Sequence, residues 1–90
     1  MVFHLFISSP FQKLYEGDVE YVSSENSSGK FDILPHHANF ISIIEDKEII
    51  AKTANGKVET FKFLKAIMLF QDNSLKIYTD LSPSYSESIL

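Results

Sequence analysis

Cysteine is absent from the sequence, which removes disulfide frameworks, thiolate nucleophiles and cysteine-based zinc sites together and suits a reducing compartment, the cytoplasm by default. Basic residues are scarce. Eight Lys and Arg against twelve Asp and Glu leave a formal net charge of −4, so no electrostatic footprint for gripping a phosphate backbone exists and nucleic acid is not an expected partner. Glycine and proline stand at three each, too few for a disordered chain. Long hydrophobic runs are also missing: the longest, Ala66 to Phe70, is about a quarter of the roughly 20 residues that span a bilayer. Met1 to Ile7 carries no basic leader and meets Ser8-Ser9-Pro10 before a signal-peptide core forms. Neither export nor direct membrane insertion is expected.

What the chain does have is bulky apolar material: 44% hydrophobic residues, with eight Phe and four Tyr among 90 residues. That length supports one compact core and not two, and the aromatic content favours pleated, half-buried surfaces. One domain over residues 1–80 is expected, followed by a flexible tail over 81–90, where Pro83 and four serines interrupt any pattern. Period-two alternation places strands at Phe3 to Ile7, Phe11 to Tyr15 and Val19 to Ser23, with Gly17-Asp18 as a turn between the last two. The polar stretch Ser23 to Gly29 reads as an exposed loop. A strand from Lys30 to Leu34 ends at Pro35, and the apolar run Phe40 to Ile44 reads as a buried strand.

Two hairpins follow. Glu48 to Thr53 and Lys57 to Phe63 are joined through Asn55-Gly56, a pair suited to a type I′ turn; Asp72-Asn73 joins Ala66–Phe70 to Leu75–Thr79. Phe63 to Phe70 could form a helical stripe through Leu64, Ile67 and Met68, but two turns without a good N-cap are too few, so no long helix is expected. The fold class read from this pattern is an all-β sandwich.

Chemistry is hard to find. The sequence contains no phosphate-cradling glycine loop, no G-x-S-x-G elbow and no H-E-x-x-H. His36 and His37 are adjacent, so on an extended strand they would point to opposite faces and not share a metal ion. Glu16, Asp18, Glu20 and Glu25 read as solvated strand and loop charges. Neither catalytic residues nor a metal or cofactor is therefore expected. Two readings remain open from the residues: a sandwich that binds a macromolecule, or one that carries a small ligand.

The residues Phe3-His4-Leu5, Ser9-Pro10, Lys13-Leu14-Tyr15-Glu16-Gly17-Asp18-Val19-Glu20 and Gly29-Lys30-Phe31-Asp32-Ile33-Leu34-Pro35-His36-His37-Ala38 resemble the N-terminal domain of the ATP synthase epsilon subunit. The family's equivalent stretches read F-H-L, S-P, K-L-F-x-G-x-V-E and G-E-[LF]-G-I-L-P-G-H-A. The resemblance implies a two-sheet antiparallel sandwich of roughly ten strands. It implies a non-catalytic rotor subunit of the central stalk, monomeric when isolated. Such a subunit binds the gamma subunit and the c-ring at the cytoplasmic face of the plasma membrane and couples ion-driven rotation to ATP synthesis.

By the same resemblance, Ser9, His37 and Ser42 fall at the gamma interface, and Ser27, Ser28, Gly29 and Lys30 fall on the ring-facing loop. The alternative is a repurposed or unrelated β-sandwich that binds another partner or ligand, and the departures from the pattern motivate it. Asp32 and His36 stand where the family has glycines, and Lys30 stands where it often has Glu, which reverses a charge at the implied ring contact. Leu64 to Ile67 lacks the family's paired glycines. The family's inhibitory C-terminal two-helix hairpin is not expected in this sequence.

Overall fold

The computed structural model describes residues 1–80; the tail expected over 81–90 lies outside the described residues. The described chain is all-β, with eight strands where roughly ten are implied by the family pattern: β1 Phe3–Ser8, β2 Lys13–Asn26, β3 Gly29–Ile33, β4 Phe40–Ile44, β5 Glu48–Thr53, β6 Val58–Lys62, β7 Ala66–Gln71 and β8 Ser74–Thr79. Hydrogen bonding runs in the order β4-β7-β8-β1-β2-β5-β6, with β3 also on β2. Every pair is antiparallel except β1 with β8, which is parallel.

The long strand β2 makes this continuous sheet a sandwich. Its first half pairs with β1 from Phe3↔Val19 to Ser8↔Lys13. Its second half pairs with β3 through Val22–Asn26 and with β5 through Val19–Ser23. Between them, the register against β5 shifts at Val19/Tyr21; such a bulge bends a strand and lets it pass from one layer to the other. One layer is thus β4-β7-β8-β1 with the start of β2, and the other is β3, the end of β2, β5 and β6.

The turn expected at Gly17-Asp18 is absent, and two expected strands are one. Gly17 pairs with Leu5 inside the ladder, and a Cβ there would lie 3.1 Å from the Tyr15 hydroxyl. The glycine makes room for the Tyr15 ring, whose edge meets Phe61 of β6 at 5.6 Å. The exposed loop expected over Ser23 to Gly29 is likewise mostly strand. Ser24 is buried and its Oγ donates to the Glu48 carbonyl at 2.8 Å; only Ser27-Ser28 turns the chain between the partners Asn26 and Gly29. Pairing with β3 along Val22–Asn26, joined by β5 as far as Ser23, overrides the weak strand preference of serine.

Alternation delivers one face of each layer to a common core. Phe3, Leu5 and Ile7 from β1, Met68 and Phe70 from β7, and Leu75 and Ile77 from β8 meet Val19, Val22, Ile33, Ile49 and Ala51 from the other side. Each large side chain so buried contributes about 1.5–3 kcal/mol relative to exposure. Phe3 and Phe70 add an edge-to-face contact at 5.5 Å.

The type I′ turn expected at Asn55-Gly56 is found instead at Asp72-Asn73, for which no turn type was expected. At β7–β8 both Asp72 and Asn73 have positive φ, 54° and 57°, the signature of a type I′ turn. At β5–β6 only Gly56 is left-handed, at 88°, and the Gly56 amide donates to the Thr53 carbonyl at 2.9 Å. That is a type I turn followed by a bulge glycine. The Thr53 and Asn55 side chains bond to each other there, and the Thr53 hydroxyl accepts from the Lys57 amide at 3.0 Å. These contacts hold Asn55 out of the left-handed region.

Candidate functional site

Five of the residues singled out from the sequence converge on one open groove of about 330 Å³ between the edges of β3 and β4: Ser28, Gly29, Lys30, His37 and Ser42. Phe31 and Phe40 line the same groove, edge to face at 6.3 Å. His37 sits in the turn after Pro35, where its amide donates to the Leu34 carbonyl at 3.1 Å. Its ring meets Phe40 at 5.1 Å and Phe70 at 5.8 Å, and Nδ1 lies 2.7 Å from the Ala38 carbonyl. A carbonyl oxygen only accepts, so Nδ1 is the donor in that contact, on an exposed residue. Ser42 Oγ accepts from Asn26 Nδ2 at 2.9 Å, a crossbar between the two layers.

The remaining two residues lie elsewhere. Ser27 lies on the other side of the β2–β3 turn, in a cleft with Ile43, Glu45, Lys47 and Lys65. Ser9 is only 7% exposed. Its hydroxyl oxygen accepts from the Phe11 and Gln12 amides at 3.1 and 3.2 Å, which closes the turn after β1, with β8 and β7 between it and β4. Ser42 and His37 therefore stand with residues 28–30, and Ser9 stands apart.

Of the two positions where the family carries glycine, one uses the left-handed backbone. His36 has φ of 65°, and its amide donates to Asn73 Oδ1 at 2.7 Å. Asp32 lies inside β3, and its carboxylate accepts the Ser23 hydroxyl.

Two features were not found by sequence reasoning. β4 was read as buried, yet it ends the strand order, with Ile41 72% and Ile43 55% exposed. The cross-strand pairs Ile41↔Leu69 and Ile43↔Ile67 extend this outward apolar ladder onto β7. An apolar run looks the same on an edge as in a sheet interior until the partner strands are known. The second feature is a charged cluster on β1 and β2: His4 Nε2 lies 2.7 Å from Glu16 Oε2 and its Nδ1 lies 3.2 Å from Asp18 Oδ1. The misplaced turn at Gly17 hid the register that sets His4 opposite Asp18. Hydrogen bonding to Glu16 and then to Asp18 raises the His4 pKa above 6.5; the His4 and Lys13 bonds lower that of Glu16.

Among the described residues no group of three or more His, Cys, Asp or Glu could hold a metal ion, no buried polar side-chain atom lacks a hydrogen-bond partner, and no helix is long and apolar enough to cross a membrane. The fold and these surfaces define a small β-sandwich domain whose developed features are an apolar strand edge and the groove beside it. Residues 2–81 match the family of the ATP synthase delta/epsilon chain, beta-sandwich domain. The chain belongs to this family.

An ATP synthase epsilon chain from Desulfitobacterium hafniense is 35% identical over 78 residues, which is 87% of this chain and 58% of that protein. One from Clostridium botulinum is 26% identical over 87 residues, 97% of this chain and 64% of that protein. The chain thus spans about 60% of the length of these relatives. Among solved structures, a chain in the central stalk and c-ring of the Tetrahymena thermophila mitochondrial ATP synthase superposes with a TM-score of 0.72 at 10% identity, covering 84% of this chain and 61% of that one. A chain of the Euglena gracilis mitochondrial ATP synthase gives 0.77 at 14% identity, covering 86% and 49%. At these identities the superpositions speak to the fold.

Proposed function

We propose that this domain is a non-catalytic component of the central stalk of an F-type ATP synthase, holding the gamma subunit and the c-ring in register as the rotor turns. The observation that carries the reading is the exposed apolar ladder of β4 and β7 beside the groove that gathers His37, Ser42 and residues 28–30. Exposed apolar area of this kind, rimmed by polar groups, marks a contact surface. Membership in the delta/epsilon family supports assigning that contact to the stalk. The complex would lie at the cytoplasmic face of the plasma membrane, and the domain reaches the membrane only through its partners.

The packing supports a mechanical role. A rotor joint must hold two neighbours without slipping, and a close-packed core shared by both layers resists shear between them. The test is binding. The full chain should co-purify with a gamma subunit, and His37→Asp should weaken that association about tenfold while the thermal midpoint stays within a few degrees, because the side chain is exposed. No association of the native chain with gamma at micromolar concentration would overturn the reading. A large fall in midpoint for His37→Asp would instead make the ring a structural cover for Phe40 and Phe70.

A further inference from the structure

The turn that carries His37 is held in a form its own residues do not favour. It closes on the bond from the His37 amide to the Leu34 carbonyl at 3.1 Å, with Pro35 and His36 as its central residues. Proline keeps φ at about −65°, while His36 has φ of 65°. A negative first and a positive second central φ define a type II turn, in which glycine is the usual second residue. Type I differs by a flip of the central peptide, here Pro35–His36, and would give His36 an ordinary negative φ. Left to itself, a Pro-His pair in this turn is drawn toward type I.

Asn73 opposes that flip from outside the turn. It is the second central residue between β7 and β8, and its Oδ1 accepts from the His36 amide at 2.7 Å. That amide belongs to the peptide whose orientation separates the two turn types, so a flip would break the bond. The carboxamide is itself oriented from its other end, where Nδ2 donates to the Val2 carbonyl at 3.3 Å. The Asn73 main-chain carbonyl accepts from the His4 amide at 3.4 Å. One asparagine thus ties the β7–β8 hairpin to the start of β1 and presents a fixed acceptor to His36.

We propose that Asn73 is a positioning residue for His37. Its side chain holds the Pro35–His36 peptide in the type II orientation, and this keeps the His37 ring against Phe40 and Phe70 at the wall of the groove. His37 directly follows the strained residue, so a flip at Pro35–His36 redirects the chain just where the ring leaves it. The effect on binding rests on the stalk reading of this face; the effect on the turn does not.

The experiment uses the isotope-labelled full chain and its association with a gamma subunit. Nuclear magnetic resonance tells the turn types apart, because the Overhauser contact between the Pro35 Hα and the His36 amide proton is strong in type II and weak in type I. The native chain should show the strong contact. Asn73→Gly removes both side-chain bonds, yet the hairpin survives because glycine is favoured at that turn position. It should shift the balance toward type I by about fivefold, the factor supplied by one ordinary hydrogen bond. The His37 ring protons should leave their native shifts, and gamma association should weaken by up to the same factor. Asn73→Asp keeps the acceptor, loses the donor to Val2 and should retain the native turn. Adding His36→Gly to Asn73→Gly should restore the strong contact, the His37 shifts and gamma binding, since glycine takes the positive φ without strain. A residue that merely stabilised the hairpin would not be rescued from position 36. A native turn signature in Asn73→Gly, its loss in Asn73→Asp, failure of the rescue, or unchanged gamma affinity despite a changed turn would each overturn the proposal. Retained gamma binding with an unchanged turn in Asn73→Gly would remove the latch and leave the stalk reading intact; the expected change of turn in a chain whose native form does not bind gamma would do the opposite.

Discussion

His4 shows how a single register decides electrostatics. The antiparallel pairing His4↔Asp18 and Phe6↔Glu16 places two carboxylates around one imidazole, with Lys13 bonded to Glu16 at 3.0 Å and Ser74 opposite His4 on β8. The folded pKa of His4 stands above 6.5, so its stabilisation is complete below the unfolded value and is lost as pH rises through the folded one. Glu16 stands below its ordinary 4.5, so its contribution is present above that value and is lost as pH falls through the folded one. The cluster therefore supports the fold best between those two ordinary values. Both groups are well exposed, which keeps the effect small. The thermal midpoint of the native chain should fall more between about pH 5.5 and about pH 8.5 than that of His4→Gln, which keeps a hydrogen-bonding side chain without the titration. Parallel pH profiles for the two proteins would show that the cluster adds nothing.

Between strands, the two turns separate what backbone conformation contributes from what side chains contribute. Gly56 has φ of 88° with nothing within 4 Å of where a Cβ would sit, so its replacement meets only backbone strain. Gly56→Ala should cost about 1–2 kcal/mol in chemical denaturation, and Gly56→Asn clearly less, because asparagine tolerates the left-handed region; equal costs would point to a lost contact instead. The sequence signals at these sites were real but incomplete. Asn55-Gly56 announced a tight turn, while the Thr53 and Asn55 side chains chose its type. Most strands were legible because alternation is local. The continuity of β2 through Gly17 was not, since it depends on β1 and β5. The groove was half legible: residues 28–30 and His37 stood out by resemblance, but their meeting with Ser42 depends on β3 and β4 facing each other from different layers. The exposure of Ile41 and Ile43 depends on β4 being last in the order. Local pattern names strands, and only pairing names edges.

For the whole molecule, the groove lies at the seam between the two layers, so its shape depends on the layers holding together. They share one cluster: Ile49 from β5 and Leu75 from β8 are both fully buried in it. If that cluster is the single source of cohesion, damage on either side must loosen both. Ile49→Ala and Leu75→Ala should each cost about 2–5 kcal/mol by cavity formation, a large share of the 5–15 kcal/mol typical of a small domain. In each variant, tyrosine fluorescence and far-ultraviolet circular dichroism should trace the same single transition in urea. A variant in which the two probes separate would mean that one layer survives the loss of the other. The face formed by β3 and β4 would then be a hinge, which would count against the proposed role in the stalk.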